Sequence, residues 1–186
     1  MNTVYGVSSD LTGNAYDAVM VLWRYLENHY GLRMVQAAIR PHMTYVVGEC
    51  RKPRALATKL DEIAFKIEPH EIHIDGIDVF EGPHPVVFLK VAKTAYLEQV
   101  YHQLHDAMTE AGMSVQKQYQ PAQWVPHVTL AFRDVPPQSL TPIVQELAAL
   151  SYHVKSRLAS VDLIHVTKPR HTYMATWPFR GVSPSV

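Results

Sequence analysis

The chain has 186 residues, and its acidic and basic residues are equal in number at 17 each, so its formal net charge at pH 7 is zero. Proteins that bind long duplex nucleic acid usually carry a basic excess, so this balance argues against such a partner and favours a nucleotide or a short oligonucleotide. No apolar stretch approaches the roughly 20 residues of a membrane span, so a membrane partner is not expected.

The composition also indicates a compartment and a size class. The N-terminal residues lack the cationic and apolar regions of a signal peptide, and the single Cys50 excludes an internal disulfide. Both features fit a protein of the reducing cytoplasm. The length suits one compact domain or two small lobes that share a core, and we expect a monomer.

Residue patterns predict helices and strands along the whole chain. The first half has predicted strands at 4–7, 35–47, 71–80 and 86–92, and predicted helices at 15–30 and from 53 onward. The second half has predicted helices at 94–111 and 141–150, and predicted strands at 127–132, 159–167 and 171–179. Turns are predicted at 81–85 and 168–170, and a polar loop at 114–126.

The tetrapeptide Pro-His-x-Thr occurs once in each half, and each copy leads into an apolar stretch predicted to be a buried strand. Side chains alternate faces along a strand, so His42 and Thr44 share one face, and His127 and Thr129 share another. Each copy therefore presents an imidazole beside a hydroxyl. Two imidazoles and two hydroxyls can break a phosphate ester by general acid–base catalysis.

The two halves also share an order of elements: a strand with the motif, a helix, and two strands joined by a turn. Asp78 lies 36 residues after His42, and Asp162 lies 35 residues after His127, each in a similar apolar run. We infer an internal duplication into two pseudo-symmetric lobes. The predicted fold is α+β and bilobal, with two mainly antiparallel sheets facing a central groove and helices outside.

A third His-x-Thr sequence, at His165 and Thr167, shows that the tripeptide alone is not specific. With 11 histidines in the chain, about one chance occurrence is expected. This copy lacks the proline and ends at a predicted turn, so we interpret it as incidental. The other two copies have the proline, the apolar strand and equivalent places in the two halves.

With these two motifs the chain resembles the 2H phosphoesterase superfamily, which includes 2′-5′ RNA ligase-like proteins and cyclic nucleotide phosphodiesterases. The resemblance covers nearly the whole chain, including helix 94–111 and the terminal hairpin. It implies a single domain over 1–186, whose two sheets form a V-shaped groove lined by both motifs. It also implies hydrolysis of 2′,3′-cyclic phosphates, related cyclic phosphodiesters or 2′-5′ linkages without a metal or other cofactor.

In this interpretation His42 and His127 are the catalytic base and acid, in an order that a symmetric pair leaves open. Thr44 and Thr129 are the phosphate-binding residues, each donating a hydrogen bond to a non-bridging oxygen. Near-neutral pKa values of the two imidazoles would be separated by their proximity.

Three further side chains are candidate substrate contacts. Arg40 shares a strand face with His42 and is placed to screen phosphate charge; the alternative is a surface arginine at the strand edge. Tyr119 and Trp124, in the loop before the second motif, are placed to stack on a base. The alternative for these two aromatic residues is that they fill the interface between the lobes.

Many proteins of the resembled superfamily carry an arginine five residues after the second histidine. Here Phe132 occupies that position and Arg133 follows it, so the role of that arginine is not transferred. Strand alternation puts Arg133 on the same face as His127. Because Arg133 lies six residues after His127, it is predicted to lie beyond the groove. Tyr45 and Phe132 are predicted to point into the core.

Two other classes of function compete with this interpretation. His102 with His105, and His70 with His73, have a spacing that can share a metal, but no cysteine or carboxylate completes either set. The helical pair is also predicted to lie on a polar face, so we predict no metal site. A non-catalytic RNA-end binder is disfavoured because binding alone does not require paired proton donors.

The substrate remains open among three groups. They are the 2′,3′-cyclic phosphate end of RNA or of a mononucleotide, a small cyclic phosphate such as ADP-ribose cyclic phosphate, and a 2′-5′-linked or cyclic signalling oligonucleotide. RNA ligation is hydrolysis run in reverse on a cyclic end. It ranks below hydrolysis because water is the default nucleophile.

Overall fold

The computed structural model describes residues 3–150, 152–167 and 170–182. Within these ranges the strands are β1 (Thr3–Asp10), β2 (His42–Cys50), β3 (His70–Phe80), β4 (Val86–Val91), β5 (Ser114–Val115), β6 (His127–Phe132), β7 (His153–Leu158), β8 (Ser160–His165) and β9 (Thr172–Pro178). The helices are α1 (Gly13–Tyr30), α2 (Met34–Ala38), α3 (Pro53–Ala64), α4 (Ala95–Glu110) and α5 (Leu140–Ala149). None of the described helices is long and apolar enough to cross a membrane.

The strands form two antiparallel sheets. The first sheet has the order β5-β2-β1-β8-β9, and the second has the order β6-β4-β3-β7. The two motif strands, β2 and β6, contact each other where the sheets meet. The predicted α+β class with two antiparallel sheets is therefore confirmed.

The helices cross from one sheet to the other. Helix α1 connects two strands of the first sheet but packs against β6 and β7 of the second. Helix α4 follows β4 of the second sheet and leads into β5 of the first, and it packs against β2 of the first. One continuous core includes residues from both sheets and from these helices. The two halves of the chain are interlocked, because the first sheet includes β8 and β9 from the second half, and the second sheet includes β3 and β4 from the first half.

Strand register supports the duplication inferred from the sequence. In each sheet the motif strand pairs with a neighbour, and that neighbour pairs with the strand that carries the marker aspartate. The paired residues are Thr44, Ser8 and Asp162 in the first sheet, and Thr129, Phe88 and Asp78 in the second. The two aspartates therefore occupy equivalent places, which the spacing in the sequence predicted.

Each motif strand also contains a β-bulge at the equivalent position. The pairing skips Tyr45 in β2 and Leu130 in β6. Two consecutive residues then face the core, and the alternation resumes with the opposite phase. Val47 and Phe132 consequently lie on the groove side with the histidines. The prediction that Phe132 points into the core is wrong for this reason, whereas Tyr45 is fully buried as predicted.

Two regions of the described chain differ from the predicted elements. Residues 35–38 belong to helix α2 rather than to the strand predicted at 35–47. The first amides of α2 are bonded by Asp134, about a hundred residues away, an interaction that no local pattern reveals. Strand β7 was not predicted, because its inward position Ser156 bonds the backbone of Thr12 and interrupts the apolar alternation.

Several predicted boundaries hold to within a few residues. Helix α1 ends at Gly31 as predicted, where φ is 70° and the glycine amide bonds the carbonyl of Glu27 at 2.9 Å. Helix α5 begins at Leu140, one residue before the predicted start at 141. Part of the turn predicted at 168–170 lies outside the described residues.

Gly48 on β2 gives a test of how tightly the groove wall is packed. A Cβ at Gly48 would lie 2.5 Å from the backbone oxygen of Ser114 and 2.6 Å from Cγ of Met113. We expect Gly48→Ala to destabilise the protein by about 1–3 kcal/mol through overpacking, which lowers the Tm by several degrees. Thermal unfolding followed by circular dichroism measures the shift.

Gly6→Ala is the matched control, because Gly6 lies on the adjacent strand and its nearest neighbour would be 3.8 Å from the added Cβ. Its Tm should stay close to that of the parent. Equal Tm values for the two variants would contradict the close approach of β5 to β2.

Candidate active site

The two motifs line one groove of about 930 Å³ at the junction of the sheets. His42 and Thr44 face it from β2, and His127 and Thr129 face it from β6. The two tetrapeptides, 85 residues apart in the sequence, are thus brought together. All four side chains are partly exposed to the groove, while the residues between them, Met43 and Val128, are buried.

The two imidazoles are oriented in the same way. His42 Nδ1 bonds the carbonyl oxygen of Arg40 at 2.8 Å, and His127 Nδ1 bonds that of Val125 at 2.7 Å. A carbonyl oxygen only accepts, so Nδ1 carries the hydrogen in each ring. Nε2 is then left without a hydrogen in the neutral form and is free to accept a proton in the groove.

Burial lowers the pKa of both histidines. Desolvation lowers the pKa of His42 to about 4, the hydrogen bond to Arg40 opposes it, and the nearby positive charges of His127, His171 and Arg40 lower it further. Desolvation also lowers the pKa of His127, against its hydrogen bond to Val125. Both rings are therefore neutral at pH 7 in the free protein. A bound phosphate anion would raise both pKa values, because opposite charge favours the imidazolium form.

Aromatic residues fix the His127 ring on the side away from its backbone bond. Phe80 meets it edge-on with ring centroids 5.0 Å apart, and Phe88 lies 5.1 Å away. Phe88 holds the position that Ser8 holds in the other lobe. The two histidines are thus alike in tautomer and unlike in surroundings.

Two buried tryptophans brace the motif threonines in a symmetric way. Trp23 of α1 donates from Nε1 to the carbonyl of Thr129, and Trp124 donates to that of Thr44, each at 3.2 Å. Trp23 lies on the helix that follows β1 of the first sheet, and Trp124 lies in the loop before β6 of the second. These bonds satisfy the two threonine carbonyls and hold the motif strands in place.

Trp124 is not a base-stacking residue. Its side chain is 3% exposed, its ring is stacked on Tyr101 at 4.1 Å, and Lys93 Nζ lies 5.6 Å from the ring centroid. No open ring face remains for a nucleotide, so the structure assigns Trp124 to the core between helix α4 and β2. The predicted substrate contact is corrected in favour of its alternative.

Tyr119 does line the groove, together with Gln116 and Gln118. The Tyr101 hydroxyl donates to the Tyr119 carbonyl at 2.7 Å, which ties this wall to helix α4. Gln118 Nε2 donates to Gln116 Oε1 at 2.9 Å. The wall offers an aromatic ring and two amides, and base contact by Tyr119 remains a prediction.

Arg40 is held away from the groove. Its guanidinium pairs with Asp10 at 2.8 Å and lies 3.9 Å above the Tyr173 ring. Burial and the charge of Asp162 raise the pKa of Asp10 to about 6, and Arg40 and Tyr173 oppose that rise. Contact between Arg40 and a phosphate stays a prediction, and what the structure shows is that the backbone carbonyl of Arg40 accepts the His42 hydrogen bond.

The groove contains functional groups that the sequence reasoning missed. Ser8 lines it beside Thr44, is 1% exposed, and its Oγ has no hydrogen-bond partner among the described residues. His171 lines it as a third histidine and bonds the Thr167 carbonyl through Nδ1 at 2.9 Å. Strand alternation gave no signal for either residue, because both depend on which strands lie side by side.

Arg133 was predicted to lie beyond the groove, and this is wrong. It lines the groove next to Phe132, with its guanidinium carbon 4.8 Å from the centre of that ring. Its φ of 70° turns the chain back at the end of β6. Arg33, at the start of α2, lines the same part of the groove and had no signal in the sequence.

The histidine pairs considered as metal ligands are separated by the fold. His105 is buried, bonded to Asp106 and Gln120, whereas His102 is exposed. The expectation that both lie on a polar face is therefore corrected for His105. Across the ranges that the structure describes, no group of three or more His, Cys, Asp or Glu residues is arranged to hold a metal.

Comparisons place this geometry among known proteins. A model of the 2′-5′ RNA ligase superfamily matches residues 21–170. TT0787 of Thermus thermophilus is 17% identical with a TM-score of 0.72, and the alignment covers 97% of this chain and 99% of that one. LigT of E. coli, solved with 3′-AMP, is 15% identical with a TM-score of 0.61 over 96% of this chain and 98% of LigT.

The MHV ns2 PDE domain is 14% identical with a TM-score of 0.58, over 89% of this chain and 99% of that domain. No curated protein matches the chain in sequence. At these identities the solved structures show that the fold is shared.

The lowered pKa of His42 makes stability fall in acid. Between pH 6.5 and about 4 the unfolded chain binds a proton at this residue more readily than the folded chain does. The free energy of unfolding is therefore unaffected by His42 protonation above pH 6.5. It decreases as the pH falls from 6.5 to about 4, because the unfolded chain takes up a proton at His42 first. We expect a loss of up to about 2 kcal/mol, after allowance for solvent in the groove.

In His42→Gln this loss is absent, so the Tm of the variant should fall less steeply with acidification than that of the parent. The raised pKa of Asp10 acts in the opposite direction but is present in both proteins. Proton NMR titration gives the direct measurement, and a His42 midpoint near 6.5 would contradict the buried, desolvated ring.

Proposed function

We infer that this chain, which belongs to the 2′-5′ RNA ligase superfamily, is a metal-independent phosphodiesterase that hydrolyses 2′,3′-cyclic phosphates or related nucleotide phosphodiesters. The observation that carries the proposal is the pairing across one groove of two imidazoles with free Nε2 atoms and two threonine hydroxyls. His42 and His127 are the proposed catalytic residues, and Thr44 and Thr129 the proposed phosphate ligands.

The reaction needs one proton removed and one supplied. Nε2 of one neutral histidine takes a proton from water as the water oxygen bonds to phosphorus. The bond from phosphorus to one ribose oxygen breaks, and the Nε2–H of the other, protonated histidine supplies the proton to that oxygen. The product carries a phosphomonoester on one ribose oxygen and a free hydroxyl on the other. Exchange with solvent restores the two protonation states.

The threonines stabilise the charge on the phosphate. The side chains of Thr44 and Thr129 make no hydrogen bond to another described residue, so both hydroxyls can donate to the non-bridging oxygens. Their backbones are fixed by the two tryptophan braces, so the donors are positioned before the substrate binds. Preorganised donors of this kind favour the transition state, in which negative charge is concentrated on those oxygens.

Nucleotides are the ligand class to test first. E. coli LigT has been solved with 3′-AMP, ATP and NADP⁺, and with phosphate. Hydrolysis is preferred over ligation. Water can enter the open groove unaided, whereas ligation requires a second binding site that holds an RNA hydroxyl. Ligation, degradation of cyclic oligonucleotide signals and non-catalytic binding of RNA ends are the alternatives that product analysis separates.

We further propose that the two lobes act as one catalytic unit, because each lobe supplies one histidine and one threonine to the same groove. A cytoplasmic monomer is the proposed working form. Size-exclusion chromatography with light scattering tests the monomer, and a stable dimer would contradict it.

Removal of either histidine should abolish turnover. We expect His42→Ala and His127→Ala each to lower kcat for adenosine 2′,3′-cyclic phosphate by about 10²–10⁴-fold, because each removes one of two required proton transfers. His102→Ala, an exposed histidine on α4, is the matched control and should retain parental activity. Turnover is measured by chromatography of the 2′- and 3′-monophosphate products.

Activity should also survive EDTA. Loss of turnover in EDTA would contradict the metal-independent mechanism, and near-parental rates in both groove-histidine variants would contradict the acid–base assignment. Circular dichroism confirms that each variant is folded before its rate is interpreted.

The pH optimum of kcat/KM should lie on the acidic side. The active form of the free enzyme has one groove histidine protonated and the other neutral, and its population is greatest between their two pKa values. Both pKa values are lowered from 6.5, so the maximum of kcat/KM is expected below pH 6.5. The maximum of kcat should lie higher, because bound phosphate raises both pKa values. A kcat/KM maximum above about pH 7.5 would contradict the buried pair.

A further inference from the structure

The charges that line the groove are of one sign only. Arg33 and Arg133 are its two formally charged lining residues, and no carboxylate of the described chain lines it. The chain as a whole has equal numbers of acidic and basic residues, so this is a local concentration of positive charge. Such a site attracts an anionic group in addition to the phosphate between the histidines.

The fold brings these two arginines together through one carboxylate. Asp134 Oδ2 accepts hydrogen bonds from the backbone amides of Arg33 and Met34, each at 2.8 Å. Arg133 directly precedes Asp134 in the chain. The segment that begins α2 and the segment that ends β6 are therefore fixed against each other, and Arg33 and Arg133 both line the groove.

Arg133 has an unfavourable backbone conformation. Its φ is 70°, and among the described residues it is the one non-glycine residue with positive φ. A residue with a Cβ avoids this region unless its surroundings impose it, and such residues concentrate at functional sites. Here the conformation keeps the side chain over the Phe132 ring and at the groove instead of beyond it.

Both guanidinium groups are free of acidic partners. Neither forms an ion pair with a carboxylate among the described residues. Two other arginines nearby are already engaged: Arg40 pairs with Asp10, and Arg170 donates to the carbonyl of Ala37 at 3.3 Å. Planar guanidinium groups bind phosphate oxygens through paired hydrogen bonds, so Arg33 and Arg133 suit a phosphate.

The groove has room for such a group. Its volume of about 930 Å³ is near the upper end of the roughly 300–1,000 Å³ that is usual for small-molecule sites. Phe132 lies between Thr129 and Arg133 along the chain, and it faces the groove because of the bulge in β6. A sugar and base can occupy the section beside Phe132 while phosphates occupy both ends.

We propose that Arg33 and Arg133 form a second phosphate subsite, so that the preferred substrate carries a phosphate on each side of a nucleoside. The substrate class is then the cyclic-phosphate end of an oligonucleotide, or a nucleoside cyclic phosphate with a 5′-phosphate, in preference to the unphosphorylated nucleoside cyclic phosphate. This inference rests on the proposed phosphodiesterase function.

Three substrates with the same cyclic end test the subsite. They are adenosine 2′,3′-cyclic phosphate, the same compound with a 5′-phosphate, and the dinucleotide ApA with a 2′,3′-cyclic phosphate. We expect kcat/KM to be at least about tenfold higher for the two compounds with a second phosphate. A gain of this size is what one charge-assisted hydrogen bond contributes. A larger gain for the dinucleotide identifies an internucleotide phosphate, and a larger gain for the 5′-phosphate identifies a terminal one.

Arg33→Gln and Arg133→Gln should each reduce that preference by about tenfold, with a smaller loss on the compound that lacks the second phosphate. Arg33→Lys should restore part of the preference, because it keeps the charge. Arg54→Gln is the matched control, since Arg54 is exposed on α3. It should leave the preference at the parental value.

Equal kcat/KM for all three compounds in the parent would overturn the second subsite and leave the proposed function intact. Equal losses on all three compounds in both arginine variants would also overturn it, because the arginines would then act on the scissile phosphate. Failure of the parent to turn over any of the three, with the 2′-5′-linked dinucleotide also intact, would instead contradict the proposed function.

Discussion

The crossed hydrogen bonds from Trp23 to Thr129 and from Trp124 to Thr44 are the interactions on which the groove depends. Trp23 lies on α1, which follows β1 of the first sheet, and it bonds β6 of the second; Trp124 lies just before β6 of the second, and it bonds β2 of the first. The bonds therefore hold the two motif strands in register with the opposite lobe as well as with their own sheet. Because both indoles are almost completely buried, these contacts belong to the core and are made before any ligand binds. The position of each threonine hydroxyl is consequently set by core packing.

The paired β-bulges decide which side chains complete the groove. In an uninterrupted strand, Phe132 would point into the core, and the segment after it would leave the site. The skipped residue at Leu130 reverses the alternation, and the positive φ of Arg133 then turns its side chain back over the aromatic ring. The same bulge in the other lobe puts Val47 at the equivalent place. The two motif strands thus share a bulge at the same place, and the side chains that it turns to the groove are Val47 in one sheet and Phe132 in the other.

The electrostatics of the groove follow from burial and from the sign of its charges. Three histidines and two arginines line it, and no carboxylate from the described ranges does. Desolvation lowers the pKa of His42 and of His127, and nearby positive charge lowers that of His42 further, so both rings are neutral at pH 7 in the free protein. A phosphate reverses this balance, because its negative charge compensates the protonated form and displaces the solvent that screened the ring. Anion binding and protonation of the groove histidines are therefore coupled.

The motif residues and the α+β class could be predicted from the sequence alone, because these depend on local repeats and on the two-residue period of a strand. His42, Thr44, His127 and Thr129 were found in this way, and the structure brings them into one groove. Other outcomes required the folded chain: Trp124 is buried, Arg40 is bound by Asp10, and Arg33 and Arg133 line the groove. Each of these outcomes rests on a bulge or on a contact between residues far apart in the chain. A local pattern carries no record of such contacts, because their energy comes from the neighbours that the fold supplies.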